Sequence, residues 1–352
     1  SVTMGSTQRI PMIEHFSSST CKPCKDVNIA MKSLTDNNPG KYTYVKYPMN
    51  GPGAGDPYYT NECGTRRSYY NVNAVPTMFL DGISTLAPQT QLDLDNSLSQ
   101  TSFVNVQGAF TVEGKTINVA ADFMAYSDIY NAKAYIAVNE KTTTGNFGSN
   151  GETQFHHIMM KMLPSAQGES ISINAGEIHH FEYSFDMSST HVEEMSDLEV
   201  AMWLQNPTNK EVYNSKFAME YAEHLYAVED LSAVIDGDYV TFSINWNKPE
   251  KANPTGYNIY LDGELIEENY TETSYSGGSS ETIDYLEDGN QHIVEVVAVY
   301  ENGTSVGSAV LVTKDTNVSE MTESNISVYP NPVNDKLYIV TEEEVEDVVV
   351  YD

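Results

Sequence analysis

Cys21-Lys22-Pro23-Cys24 opens a stretch in which Val27, Ala30, Met31 and Leu34 recur at helical spacing, and Val75-Pro76-Thr77 later leads into the apolar run Met78-Phe79-Leu80. Two cysteines with two residues between them are close enough to close a disulfide or to share a metal. Arg9–Phe16 reads as a strand, and Ser17-Ser18-Ser19-Thr20 as a turn able to cap the helix that follows. Cys21 then falls at a helix N-terminus. Free backbone N–H groups and the positive end of the helix dipole there favour a thiolate, bringing the pKa below about 8.5. On this reading Cys21 is the exposed, attacking sulfur and Cys24, one turn in, the resolving thiol. Lys22 adds a positive charge nearby, and Pro23 suits the first turn, where no N–H is needed. A cis bond before Pro76 costs only about 0.5–1 kcal/mol.

Working outward, Tyr42–Tyr47 reads as a second strand and Pro57–Tyr70 as a helix with Pro57 near its first turn. Pro76–Leu80 is a third strand that turns at Asp81-Gly82 into Ile83–Leu86, and Gln89–Ser99 a closing helix. This βαβαββα order resembles the thioredoxin fold, so residues 1–101 are expected to form an α/β thioredoxin-like domain. The resemblance implies catalytic roles for Cys21, Cys24 and Pro76, with Lys22, Pro23, Val75 and Thr77 along the substrate groove. Three positions depart from the thioredoxin pattern. Thr20 stands where thioredoxins usually carry Trp. His15 stands where they bury an acid that manages protons, and it reads either as a base or as a satisfied core histidine. Cys63 sits in a lengthened loop before Pro76, either as a trap for a mixed disulfide or as an inert buried thiol.

From Phe103 the apolar period changes to two, with strands expected at 103–112, 116–126, 132–139, 155–162, 180–185, 199–205 and 211–218. Residues 102–225 therefore read as an antiparallel β-sandwich, with 145–151 as a long loop. Residues 226–314, with Trp246 in an early strand and the Tyr-rich Gly256–Gly263, resemble a fibronectin type III domain. After a polar linker at 315–325, Ile326-Ser327-Val328-Tyr329-Pro330-Asn331-Pro332 and the strand that follows resemble the opening of a type IX secretion C-terminal sorting domain (326–352). That stretch is expected to be truncated, and the type IX machinery is an implied partner. The first 220 residues as a unit resemble the outer membrane protein 28 family. The matching features include Ile13-Glu14-His15-Phe16 through Cys24, Asp56-Pro57-Tyr58-Tyr59, Tyr69-Tyr70-Asn71-Val72 and Val75-Pro76-Thr77 through Asp81-Gly82. Further along they include Ala137-Val138-Asn139-Glu140, the 156–164 stretch, Trp203-Leu204-Gln205-Asn206 and Lys210-Glu211-Val212. The resemblance implies export to the envelope or surface of a Gram-negative bacterium, with the periplasm as an alternative.

The chain has 352 residues and a net charge of −32, with 18 Lys plus Arg against 50 Asp plus Glu. That balance argues against nucleic acid, whose affinity rests on cations meeting phosphates, and against docking on anionic lipid. Ser1 begins a polar stretch, so any export signal is expected to have been removed, and no run of eighteen apolar residues follows. Three cysteines are too few for a disulfide scaffold. A zinc site at the CxxC needs four ligands, and neighbouring residues in His156-His157 or His179-His180 point to opposite faces of a strand, so no metal is assigned. No cofactor is expected, because disulfide exchange needs only a redox partner. Two functions follow. One is thiol–disulfide exchange with an extracytoplasmic protein substrate. The other is non-catalytic surface binding, with Cys21–Cys24 as a structural staple.

Overall fold

The computed structural model describes residues 3–85, 87–221, 223–235, 241–277 and 292–312, together with the backbone of 327–329 and 338–340. It is mostly β. The first elements are β1 (Thr7–Gln8), β2 (Met12–Ser17), α1 (Lys22–Asp36), β3 (Thr43–Pro48), α2 (Asn61–Tyr69), β4 (Thr77–Leu80), β5 (Ile83–Thr85) and α3 (Gln91–Leu98). Next come β6 (Thr101–Ser102), β7 (Val104–Glu113), β8 (Thr116–Ala125), β9 (Ile129–Thr143), β10 (Phe155–Leu163), β11 (Glu169–Ile173) and β12 (Ile178–Asp186). β13 (Leu198–Gln205), β14 (Val212–Phe217) and β15 (Met219–Glu220) complete this part. The expected elements are present within a few residues. β11 was not foreseen, and α2 starts four residues later than predicted. Thr60 is the reason for the late start: its hydroxyl accepts from the Cys63 amide and caps the helix there, while Pro57 stays in a turn where the Asp56 carboxylate accepts from the Tyr58 amide.

The sheets cross residue 101 without a break. One nine-stranded sheet runs β14-β13-β9-β10-β3-β2-β4-β5, with β11 added at β9. The joint is β10 lying parallel to β3 with Ile158 opposite Lys46. Strand alternation then divides the side chains between two cores. Along β9, Ala134, Ile136 and Val138 face a core shared with the four-stranded sheet β12-β8-β7-β15. Tyr135 and Ala137 face a second core with Met12, Phe16, Val45, Tyr47, Trp203 and Cys63 of α2. The turn at Asp81-Gly82 is locked into this joint: Gly82 has φ +79°, and a Cβ there would stand 1.6 Å from the Lys210 carbonyl oxygen.

On the face of the sheet toward α1, β2, β3 and β4 bury Ile13, Tyr44 and Met78 under Val27 and Met31. The last described module pairs β16 (Glu229–Ile235), β17 (Phe242–Asn247) and β20 (Ser274–Gly277) in one sheet. Its other sheet holds β18 (Gly256–Leu261), β19 (Glu264–Tyr270), β21 (His292–Tyr300) and β22 (Gly303–Val312), and the two enclose a core around Phe242, Trp246, Ile259 and Val296. It leans on the preceding sandwich through a small contact of Met124, Tyr126 and Val306. In the segment that carries the sorting-domain resemblance, β23 (Ser327–Tyr329) pairs antiparallel with β24 (Tyr338–Val340). The linker 315–325 and the rest of 326–352 lie outside the described residues.

Candidate redox site

Cys21 is the N-cap of α1, and no side chain caps the helix there, contrary to the expected role of Ser17–Thr20. The Thr20 hydroxyl instead donates to the Pro52 carbonyl oxygen at 2.6 Å. Cys21 and Cys24 are joined in a disulfide, with their Cα atoms 5.3 Å apart. The Val75–Pro76 bond is cis, and the Val75 carbonyl oxygen lies 3.6 Å from the Cys21 sulfur. Tertiary structure thus brings Cys21, Cys24, Val75 and Pro76 together. Thr77 follows at the start of β4, its hydroxyl donating to the Ala74 carbonyl oxygen. Lys22 and Pro23 are exposed beside the pair. A cleft of about 320 Å³ opens along this edge, walled by Met49, Pro52, Arg67, Val72, Asn73 and Val75.

One expectation is corrected. Cys21 is 1 % exposed, not an open attacking sulfur. The β9–β10 connection, expected as a long loop, packs against the elements on either side of Cys21. That loop folds back onto the turn before Cys21. The Asn150 amide donates to the Ser19 carbonyl oxygen at 2.9 Å, and the Lys25 ammonium donates to the Gly151 carbonyl oxygen. Asn28 of α1 reaches the Glu152 carboxylate. Gly148 allows the close approach, since a Cβ there would stand 2.5 Å from the Ser19 carbonyl oxygen. Asp56 ties the layers from below, accepting from the Ser19 amide at 3.0 Å and from the Asn146 side chain at 3.4 Å. Burial raises the pKa of Asp56 despite those donors.

The two remaining candidates are placed clearly. His15 is fully buried on the α1 face of β2, its Nδ1 2.7 Å from the Tyr44 hydroxyl and its Nε2 without a hydrogen-bond partner. Burial, aided by Lys46 on the neighbouring strand, pushes its pKa well below the usual histidine value. Lys46 is its register partner in β3, and burial lowers that ammonium to about 8. Cys63 is free and buried in α2. Desolvation pushes its thiol up to about 12, and its sulfur rests 3.4 Å from the Thr60 hydroxyl. It is a packed core thiol in this geometry. Sequence reading missed Lys46 and the contacts of the β9–β10 loop; the local trace of Lys46 is a lysine in a wholly buried strand. Among the described residues, the one set of side chains close enough to hold a metal is Asp122, His180 and His224, on a different sheet.

No protein-family model matches the chain, and no curated protein matches it by sequence. Among solved structures it is similar to HBP35 of Porphyromonas gingivalis, with a TM-score of 0.50 at 13 % identity over 88 % of this chain and 99 % of that one. A protein of Agrobacterium tumefaciens matches with a TM-score of 0.44 at 14 % identity, over 63 % of this chain and 99 % of that one. A two-domain fibronectin type III segment of chicken tenascin gives a TM-score of 0.21 at 8 % identity, over 60 % and 97 %. The likeness to HBP35 is one of fold, and it extends along most of both chains.

Proposed function

We propose that this chain is an exported thioredoxin-like protein that exchanges disulfides with an extracytoplasmic protein. The observation that carries the reading is the Cys21 sulfur at a helix N-cap, 3.6 Å from the backbone of a cis Val75–Pro76 segment that edges a cleft. A substrate strand laid along Val75 would meet the disulfide from the cleft side. With the pair oxidised, a substrate thiolate attacks the Cys21 sulfur, the S–S bond breaks, and Cys24 leaves as the thiolate. A second substrate thiolate then attacks the mixed disulfide and expels Cys21, so two electrons pass from substrate to the pair. A redox partner returns the pair to its starting state. The resemblances to the outer membrane protein 28 family, to fibronectin type III domains and to a type IX sorting domain support export to a Gram-negative surface, with the β modules as holder or partner-binding units. No helix among the described residues is long and apolar enough to cross a membrane.

The burial of Cys21 favours a second reading, in which the pair is a structural staple within a surface-binding protein. Equilibration in a graded glutathione series, alkylation and weighing of the labelled peptides separates the two. A midpoint between about −270 and −120 mV supports exchange, whereas one below about −300 mV marks a structural disulfide and overturns the first reading.

A further inference from the structure

We propose that Asp122, His180 and His224 form a binding site for a zinc-class divalent cation, with one coordination position open to a cleft. Asp122 of β8 and His180 of β12 are register partners on adjacent strands, so both side chains leave the same face of the sheet. That face is the outer one. Phe123 and Phe181, one residue along each strand, point into the sandwich core, and His179 packs at a tilt against Phe181 rather than joining its neighbour His180. His224 arrives from the segment that links β15 to the last module. One oxygen of the Asp122 carboxylate lies 2.5 Å from His180 Nδ1, and the other lies 2.6 Å from His224 Nε2. All three donor atoms fall within 4.8 Å of one another.

Three features favour a cation over a closed hydrogen-bond cluster. Asp122 is 2 % exposed, and its polar partners are two histidines rather than Lys or Arg. A buried carboxylate needs a compensating positive charge. The donor set, two imidazoles and one carboxylate, is that of zinc and related metals with an open position. The far nitrogen of His180 faces the Glu182 carboxylate at 3.2 Å, as a metal-bound imidazole commonly does. Glu182 is itself held by the Tyr226 hydroxyl at 2.5 Å and the Lys251 ammonium at 2.6 Å.

Ligands at about 2.0–2.1 Å from a tetrahedral ion stand about 3.3 Å apart. Admitting the ion needs each nitrogen–oxygen contact to widen by less than about 1 Å. Tyr226 stands beside His224, their rings 4.7 Å apart, and with Asp122, His180, Ile178, Leu231 and Lys251 it borders a cleft of about 470 Å³, which gives the open position room for water or a small donor ligand.

The test uses the full chain with its Cys21–Cys24 disulfide intact, so that no paired thiol competes for metal. The protein is stripped with a chelator and titrated with Zn²⁺ in competition with a chromophoric chelator. Co²⁺ is added in parallel, and its visible absorption reports the coordination geometry. The expected result is one Zn²⁺ per chain, a four- or five-coordinate Co²⁺ spectrum, and loss of both in Asp122→Asn and His224→Gln. Glu182→Gln, which touches no metal, should bind about 10–100-fold more weakly, as loss of an outer carboxylate partner does. Absence of stoichiometric binding by the native chain overturns the proposal. So does binding that survives in folded Asp122→Asn and His224→Gln proteins, because other groups would then hold the ion.

Discussion

Glu14 and His15 are neighbours on β2, yet they face opposite sides of the sheet into very different surroundings. Glu14 points toward α2. There it pairs with Arg66 at 2.6 Å, accepts from the Tyr47 hydroxyl at 2.8 Å, and is bonded by Tyr70. Arg66 also donates to Gln205 of β13 and lies over the Tyr135 ring at 4.2 Å. This fully buried ion pair is wired on both ends, and its links to β9 and β13 tie the first elements to the sandwich. His15 points toward α1, the helix that carries the disulfide. It has one partner for two nitrogens, and the lysine beside it has been driven down by burial. One face of the strand holds charge for structure, while the other stores proton-binding groups with incomplete partners. Both of these groups lie on the face that packs under α1.

The largest expected effect comes from breaking the wired face. Arg66→Met strands the Glu14 carboxylate and should cost about 3–5 kcal/mol. The loss would be read as an earlier denaturant transition that weakens both the first elements and the sandwich. If only the first elements shift, the two do not fold as one unit.

The next effect has the opposite sign. Lys46 falls from 10.5 to about 8 on folding, which leaves its charged form disfavoured by about 3 kcal/mol. Below about pH 8 both folded and unfolded chains hold the proton and the full cost is present. Between about 8 and 10.5 the folded chain gives it up first, so stability rises with pH across that window. Lys46→Met should raise stability at neutral pH by up to about 3 kcal/mol and flatten the alkaline limb in pH-dependent unfolding curves.

For His15 the window lies on the acid side. Its folded pKa is well below 6.5, so below that value the unfolded chain takes up a proton that the folded chain refuses. Stability should then fall with pH by up to about 1.4 kcal/mol per unit. His15→Gln, which can still bond the Tyr44 hydroxyl, should abolish this limb between about pH 7 and about pH 5. An unchanged slope would show that other groups drive the acid loss.

The smallest effect is expected at Cys63. Cys63→Ala removes one buried sulfur and should cost on the order of 1 kcal/mol. The midpoint of the Cys21–Cys24 pair should stay unchanged, and a shift in that midpoint would give Cys63 a redox role.

Local pattern carried much of this fold. The 3.6-residue spacing from Val27 to Leu34, the turn at Asp81-Gly82 and the two-residue alternation after Phe103 each depend on a few adjacent residues, so they are readable one segment at a time. Cys21, Cys24, Val75 and Pro76 were legible for the same reason. The burial of Cys21 was not, because its neighbours come from distant segments: Val75 lies against its sulfur, and residues 150–152 hold Ser19, Lys25 and Asn28 around it across more than a hundred positions. The metal-competent trio was equally hidden: His179-His180 looked like a pair on one strand, whereas the groups that meet are one member of it and two residues far away.

By itself, then, the sequence determined which segments become strands and helices and put the CxxC at a helix start, since those outcomes follow from side-chain periodicity and capping within a turn or two. Tertiary structure alone decided that β10 joins β3 to make one sheet, that Cys21 is buried, and that Asp122 receives two histidines. Strand pairing and burial are settled by contacts between distant segments, and no local pattern encodes which of several suitable partners will arrive.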